Sequence, residues 1–201
     1  MTTRRVPARG GVPAILLALL LAGCGTGGSV GGTTNGADGS SGAGKGTSGA
    51  AATLASRPTF EAAETDYLAL LDEARQAVVA TSPQVTFAGV PTRADETLCK
   101  APFDTVEGRR SGLYRIDGQG QGAISDDEWP AALAAVTTVA RAHGFGEPKA
   151  IKDEPGEHQV AFYGRYDEEL SFGTKVNTTL GIYGACFLLA ASHPSPGTTA
   201  Q

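Results

Sequence analysis

Hydrophobic positions along the middle of this chain recur first at the spacing of helices and then at that of strands. From Pro58 or Thr59 onward, Ala63, Tyr67, Leu70, Leu71, Ala74 and Val78 return every three or four residues, with Glu61, Glu64, Asp66, Asp72, Glu73 and Arg75 between them. That spacing predicts an amphipathic helix whose acidic start suits the helix dipole and which Ser82-Pro83 stops. A short strand is expected at Val85 to Phe87, then a polar loop carrying Cys99, then a strand near Leu113 to Ile116. Ser125 and Glu128 have the spacing of a capping box, and Trp129, Leu133, Val136, Ala140 and His143 trace one face until Gly144. Pro130 falls early enough in this second helix to be tolerated. Beyond it the period changes to two, over Ala150 to Lys152, His158 to Tyr166, Leu170 to Val176 and Leu180 to Leu189, with a turn at Pro155-Gly156. The pattern predicts an α+β fold, a two-layer sandwich of about two helices on a mainly antiparallel sheet.

The N-terminal part obeys different rules. Arg4, Arg5 and Arg9 precede an apolar run from Val12 to Leu21, and small residues follow. These are the parts of an export signal, and the run is too short for a membrane-spanning helix, which needs roughly twenty apolar residues. Leu21-Ala22-Gly23-Cys24 resembles the lipobox of bacterial lipoproteins, which implies a diacylglycerol thioether on Cys24 and cleavage before it. The two or three acyl chains of such an anchor would hold firmly, since each buried methylene contributes about 0.8 kcal/mol. From Gly25 to about Ala55 the chain is almost wholly Gly, Ser, Thr and Ala, which reads as a disordered tether. Gly42-Ala43-Gly44-Lys45-Gly46 would need a preceding strand and a following helix to cradle a phosphate, and this composition predicts neither. The expected organisation is a signal peptide over 1–23, Cys24 and tether over 24–57, one globular domain over 58–190 and a disordered tail over 191–201. The expected location is the cell membrane, lipid-anchored on its extracytoplasmic face.

Charge narrows the partners. The formal net charge is −5, and falls to about −8 without the three signal arginines. Only Arg109-Arg110 is locally basic, so nucleic acid is not an expected partner. The chain has three cysteines, and lipidation of Cys24 leaves Cys99 and Cys186 as an even pair in an oxidising compartment. Cys186 alternates with Leu180, Ile182 and Leu188, so it is expected to face the core and to bridge to Cys99. Alternatives are a buried structural thiol at Cys186 with an inert Cys99, or a metal pair, which lacks two further ligands at zinc-like spacing.

Candidate chemistry is sparse. Asp117 to Glu128 follows the twelve-residue frame of a calcium loop, with Asp117, Gln119, Gln121 and Glu128 at ligand positions and Gly122 sixth. Glutamines replace the usual carboxylates and a strand precedes the loop, so a Gly-rich turn entering a capped helix explains the same residues without an ion. The adjacent carboxylates Asp126-Asp127, Asp153-Glu154 and Glu168-Glu169 point apart on a strand and read as solvated surface. His143 suits a helix C-terminus, His158 lies on a hairpin and His193 in the tail, with no ligand spacing between them. Ser111 lacks the nucleophile elbow of the hydrolases, and Trp129 reads as a core anchor. No catalytic residue and no cofactor is expected.

The arrangement resembles the LppA-like lipoproteins of mycobacteria and related actinobacteria. The likeness lies in the lipobox and Gly-rich tether, a helix before the first cysteine of the domain, and the Trp129 helix ending at His143-Gly144-Phe145. The closing segment from Asn177-Thr178-Thr179-Leu180 to Gly184-Ala185-Cys186 shares it. The resemblance implies fold and location and no catalytic residues. Two functions fit: a non-enzymatic module binding an envelope component or another protein across its sheet or helix face, and a small hydrolase or ligand carrier with a pocket between the sheet and the Trp129 helix.

Overall fold

The computed structural model describes residues 43–194. Three α-helices, α1 (Ala43–Ala55), α2 (Phe60–Thr81) and α3 (Trp129–Ala142), accompany seven strands: β1 (Pro91–Thr97), β2 (Arg109–Ile116), β3 (Lys149–Glu154), β4 (Glu157–Tyr163), β5 (Glu169–Thr174), β6 (Thr178–Tyr183) and β7 (Phe187–Leu188). The strands form one antiparallel sheet in the order β1-β2-β6-β5-β4-β3, with β7 also on β2. This is the α+β architecture the periodicities predict.

Local chemistry sets the helix ends. Thr59 caps α2 by accepting the Ala62 N–H on its hydroxyl (3.3 Å), and the Ser82 N–H closes the far end on the Val78 carbonyl (2.8 Å). Gly144, at φ 83°, turns the chain out of α3 in the left-handed region a side chain would resist. The apolar stripes of α2 and α3 pack on one face of the sheet. Tyr67, Leu70, Leu71, Val78, Val136 and Ala140 meet Tyr114, Phe162, Leu170, Phe172, Leu180 and Ile182 there, all buried. Full burial of one such Leu, Ile, Val or Phe side chain is worth about 1.5–3 kcal/mol, so this contact is the main source of stability.

The strand expected at Val85 to Phe87 is only an isolated bridge from Thr86 to Gln121, and four further features depart from the sequence-based expectation. First, α1 lies inside the stretch read as tether: it runs through Ala43-Gly44-Lys45-Gly46 and buries Ala50 and Leu54 against Val106 and Leu188 in a small second cluster. Ala and Leu at 50–55 favour helix, and two buried contacts suffice where the composition suggested none. Second, β1 occupies part of the expected polar loop; its charged residues hide its strand character, because this edge strand buries no side chain and so leaves no apolar period. Third, the expected strand from Leu180 to Leu189 is interrupted at 184–186. Leu113 faces Tyr183 and Arg110 faces Phe187, a slip of one residue that reverses which side each later residue faces. Ala185 and Phe187 therefore enter the main core, while Cys186 packs with the small cluster, correcting the expectation that it faces the main core. Fourth, the segment expected as tail begins ordered: Ala190–Ser192 form a 3₁₀ turn, and a His193 ring nitrogen lies 3.0 Å from the Arg57 carbonyl.

The expected bridge is present. Cys99 and Cys186 form a disulfide with Cα atoms 5.6 Å apart, tying the loop after β1 to the interruption between β6 and β7. In the chain-entropy model a loop of this size gives up to about 4–5 kcal/mol. Cys24, the signal segment and the first part of the tether lie outside the described residues. Among the described residues no helix is long and apolar enough to cross a membrane.

Candidate functional site

Each end of α3 carries an organised cluster of polar side chains. At its start, Trp129 is 7% exposed and lies between the rings of His158 (centroids 5.0 Å apart) and Phe172 (4.8 Å), both nearly parallel to it. His158, itself buried, has Nδ1 2.8 Å from Asp153 and Nε2 3.0 Å from Asp126. Burial alone would push this imidazole down, but the two carboxylates outweigh it and hold it above its ordinary value. Asp126 also accepts the Gly156 N–H (2.8 Å), and that bond, with His158, holds its carboxyl below the usual range. Asp126 and Asp153, read from sequence as surface, thus tie the N-terminal turn of α3 to the β3–β4 hairpin. Trp129 is a core anchor.

The calcium frame ends on the same turn. Glu128 accepts from the Ser125 N–H (3.3 Å) and hydroxyl (2.8 Å), as the carboxylate half of a capping box does. The other half is absent, since the Ser125 hydroxyl donates to Glu128 and its backbone carbonyl takes the Glu128 N–H. The Gln84 side-chain amide donates to Glu128 (2.6 Å) and to the Ala123 carbonyl (3.4 Å), the two groups that the twelfth and seventh loop positions would turn to an ion. Gly120 pairs with Thr178 and Gln121 with Thr86, so the loop backbone is also engaged. Gln119 accepts from Asn177 (3.4 Å), while the Asp117 N–H bonds the Val90 carbonyl (3.1 Å). The capped-turn reading accounts for each of these contacts.

At the other end of α3 the same kind of ion pair borders a cavity. His143 has Nδ1 2.8 Å from Asp66 and Nε2 3.3 Å from Glu73, both on α2, so α3 is fastened here as well. Beside it a cleft of about 400 Å³ opens between α2, the end of α3 and the turn joining β4 to β5. Pro58, Ala62 and Ala63 form one side; Tyr166, Phe187 and Tyr67 bring aromatic rings; Asp66, Arg165 and Glu168 bring charge.

Glu168 is the notable member. It is 6% exposed, and its Oε2 accepts the Tyr166 N–H at 2.7 Å. Its Oε1 lies over Gly164, where even a Cβ would come within 2.3 Å of it. Asp167, at φ 69°, makes the turn that sets the carboxylate there. Burial first, and then the Glu168 charge, push the Tyr67 phenol far above its ordinary range, so it remains a neutral hydroxyl that accepts the Ala185 N–H at 3.5 Å. Sequence reasoning placed Glu168 on the surface. The alternation that puts Leu170 and Phe172 inward extends back to Glu168, and that was the signal available.

Other candidates have structural work. Ser111 is buried, donates to the Gly184 carbonyl (2.7 Å) and accepts from Thr97 (2.9 Å). A second concavity, about 580 Å³, lies on the sheet face away from α2 and α3, with Leu113, Arg115, Gly181 and Tyr183 in its floor. A third of similar size adjoins the disulfide, where Arg57 stacks over Phe103 (4.7 Å) and Tyr166 (4.9 Å). Neither gathers buried charge as the α3 cleft does. Among the described residues no group of three or more His, Cys, Asp or Glu could hold a metal ion.

A single antiparallel sheet with α2 and α3 on one face, a disulfide across its interrupted last strand and polar clamps at both ends of one helix define a small α+β domain, and family comparison gives that domain its class. Residues 40–190 match the model of the LppA family, described as a lipoprotein confined to pathogenic Mycobacterium, so the chain belongs to that family of lipoproteins. Among solved structures it is similar to the putative lipoprotein LppA from Mycobacterium tuberculosis, with 18% identity and a TM-score of 0.60 over 78% of this chain and 95% of that one. At that identity the likeness shows the fold. A DUF4853 family protein from Actinomyces odontolyticus ATCC 17982 also matches, at 15% identity and a TM-score of 0.40, over 72% of this chain and 77% of that one. No curated protein matches the chain. Membership of a lipoprotein family associates the protein with the membrane or envelope.

Proposed function

We propose that this lipoprotein is a non-enzymatic binding module, held by a lipidated Cys24 at the outer face of the cytoplasmic membrane, that takes its ligand in the cleft at the end of α3. The observation that carries the reading is the cleft itself: convergent polar groups on an apolar, aromatic wall, with a carboxylate buried where the ligand would lie. The hydrolase alternative has less support. His143 and His158 each have both ring nitrogens against carboxylates, which leaves neither placed to take a proton from a nucleophile.

Site-specific photo-crosslinking in intact envelopes tests this. A benzophenone side chain at Ala62, on the cleft rim, is expected to give a discrete adduct, and one at exposed Thr179 on the far sheet face is not. Adducts from position 179 alone would move the site to the open face, and adducts from neither would end the reading. Cys24→Ala is expected to leave uncut precursor or to shift the protein to the soluble fraction. Mass spectrometry finding an unmodified Cys24 on the mature protein would remove the anchor.

A further inference from the structure

We infer that the α3 cleft is built for a primary ammonium group, carried by a small diamine or by a lysine-type side chain, and seated against the Glu168 carboxylate. The inference rests on the binding-module reading and names the ligand class for the same cleft.

Glu168 is a charge without a counter-charge. It is 6% exposed, and among the described residues no lysine, arginine or histidine nitrogen comes within 4.0 Å of its carboxylate. Burying most of a carboxylate is costly unless a cation or hydrogen bonds repay it; here the Tyr166 N–H serves Oε2, while Oε1 is not sealed from solvent and has no partner among the described residues. Arg165 stands on the rim, exposed, and lies over the Tyr166 ring at 5.6 Å instead of pairing with Glu168. Arg57 lies over the same ring at 4.9 Å. Two cations of the chain itself already favour this aromatic wall, as expected of ring faces that carry negative potential.

The kind of cation follows from what remains free. A guanidinium binds a carboxylate best through two parallel hydrogen bonds, and Oε2 is committed to the Tyr166 amide. A hard divalent ion takes six or more oxygens, which an aromatic cleft with one open carboxylate oxygen does not supply. An ammonium is a compact charge that one oxygen serves, and its alkyl stem suits Tyr67, Phe187 and Ala62. Gly164 is the condition for this arrangement, since any side chain there would strike the carboxylate.

The test titrates the full-length lipoprotein in detergent micelles with cadaverine, with Nα-acetyl-lysine amide, and with the neutral isostere Nα-acetyl-norleucine amide. Binding is followed by calorimetry and by the ring-proton shifts of Tyr67, Tyr166 and Phe187. Both amines are expected to bind, with the norleucine compound at least about tenfold weaker; the tighter of the two amines tells a free diamine from a peptide-borne one. Glu168→Gln keeps an acceptor for the Tyr166 N–H and is expected to weaken the amines by about thirtyfold. Should that variant melt early, Ala62→Phe changes only an exposed rim residue and must abolish the amine-dependent shifts. Equal amine affinity in wild type and Glu168→Gln overturns the inference, as does norleucine amide binding as tightly as lysine amide. If no amine binds while crosslinking from position 62 persists, the cleft remains the site and the ligand class is wrong. If crosslinking is also lost, the binding-module reading falls with it.

Discussion

The two ends of α3 use one device for opposite ends. At each, an imidazole sits between two carboxylates from neighbouring elements: His158 between Asp126 and Asp153, His143 between Asp66 and Glu73. At the N-terminal end the imidazole continues into the Trp129 and Phe172 stack, and the space closes. At the C-terminal end Ala62, Ala63, Pro58 and Gly144 leave room in front of the aromatic rings of Tyr67, Tyr166 and Phe187, and a cleft remains. Polar geometry alone does not tell a structural clamp from a site rim; the volume of the surrounding side chains does.

The largest contrast should come from truncating the sealed end. Trp129→Ala is expected to cost about 3–5 kcal/mol in denaturant unfolding, because it removes a large buried ring and strands two stacked partners. A loss under about 1 kcal/mol would mean that this end is as open as the other.

A smaller and pH-dependent loss is expected from His158→Gln. The folded imidazole is held above its ordinary 6.5, so its stabilisation is fully present below that value and fades as pH rises through the raised one. Asp126 is held below its ordinary 3.8, so its share is present above that value and is lost as pH falls through the lowered one. The melting temperature of the variant should therefore lag wild type most between about pH 4 and 6.5 and approach it as pH rises through the raised value. A gap that stays constant across this range would show that the ring acts through packing alone.

The smallest effect belongs to His143→Gln. Its carboxylate partners are about half exposed, and exposed pairs contribute about 0–1 kcal/mol. Near-wild-type stability with altered amine binding would mark this end as a rim, whereas a loss matching that of Trp129→Ala would erase the distinction between the two ends.

The legible and illegible parts divide along physical lines. The stripe from Ala63 to Val78 and the run from Trp129 to Ala140 were readable because each buries a full helical face, and a full face leaves a period. The strands from β4 to β6 were readable for the same reason at period two. What escaped depended on few residues or on a change of phase. Two buried side chains, Ala50 and Leu54, hold α1, too few to stand out from a small-residue background. The slip between β6 and β7 reverses the facing of Cys186, although the parity of the cysteines still pointed to its bridge with Cys99. Glu168 was missed because a charged residue reads as surface by type, and only its place two before Leu170 says otherwise. The cleft follows from the shape of a turn, and turns leave no period.

Both outer strands of the sheet carry one residue too many for their partners. In β1 the pairing skips from Arg93 to Asp95, and in β3 from Ala150 to Lys152, so Ala94 and Ile151 have no opposite number. Such edges are poor templates for another strand. If the proposed Cys24 anchor holds the protein, the matter is one of crowding in a plane: copies would meet repeatedly with the same side up, and a straight edge would let them zip into rows. Deleting Ala94 should straighten one edge and raise self-association in sedimentation experiments, while an unchanged monomer would show that the charged side chains of β1 guard it alone. With both bulges in place the sheet offers a neighbouring copy no straight edge to pair with.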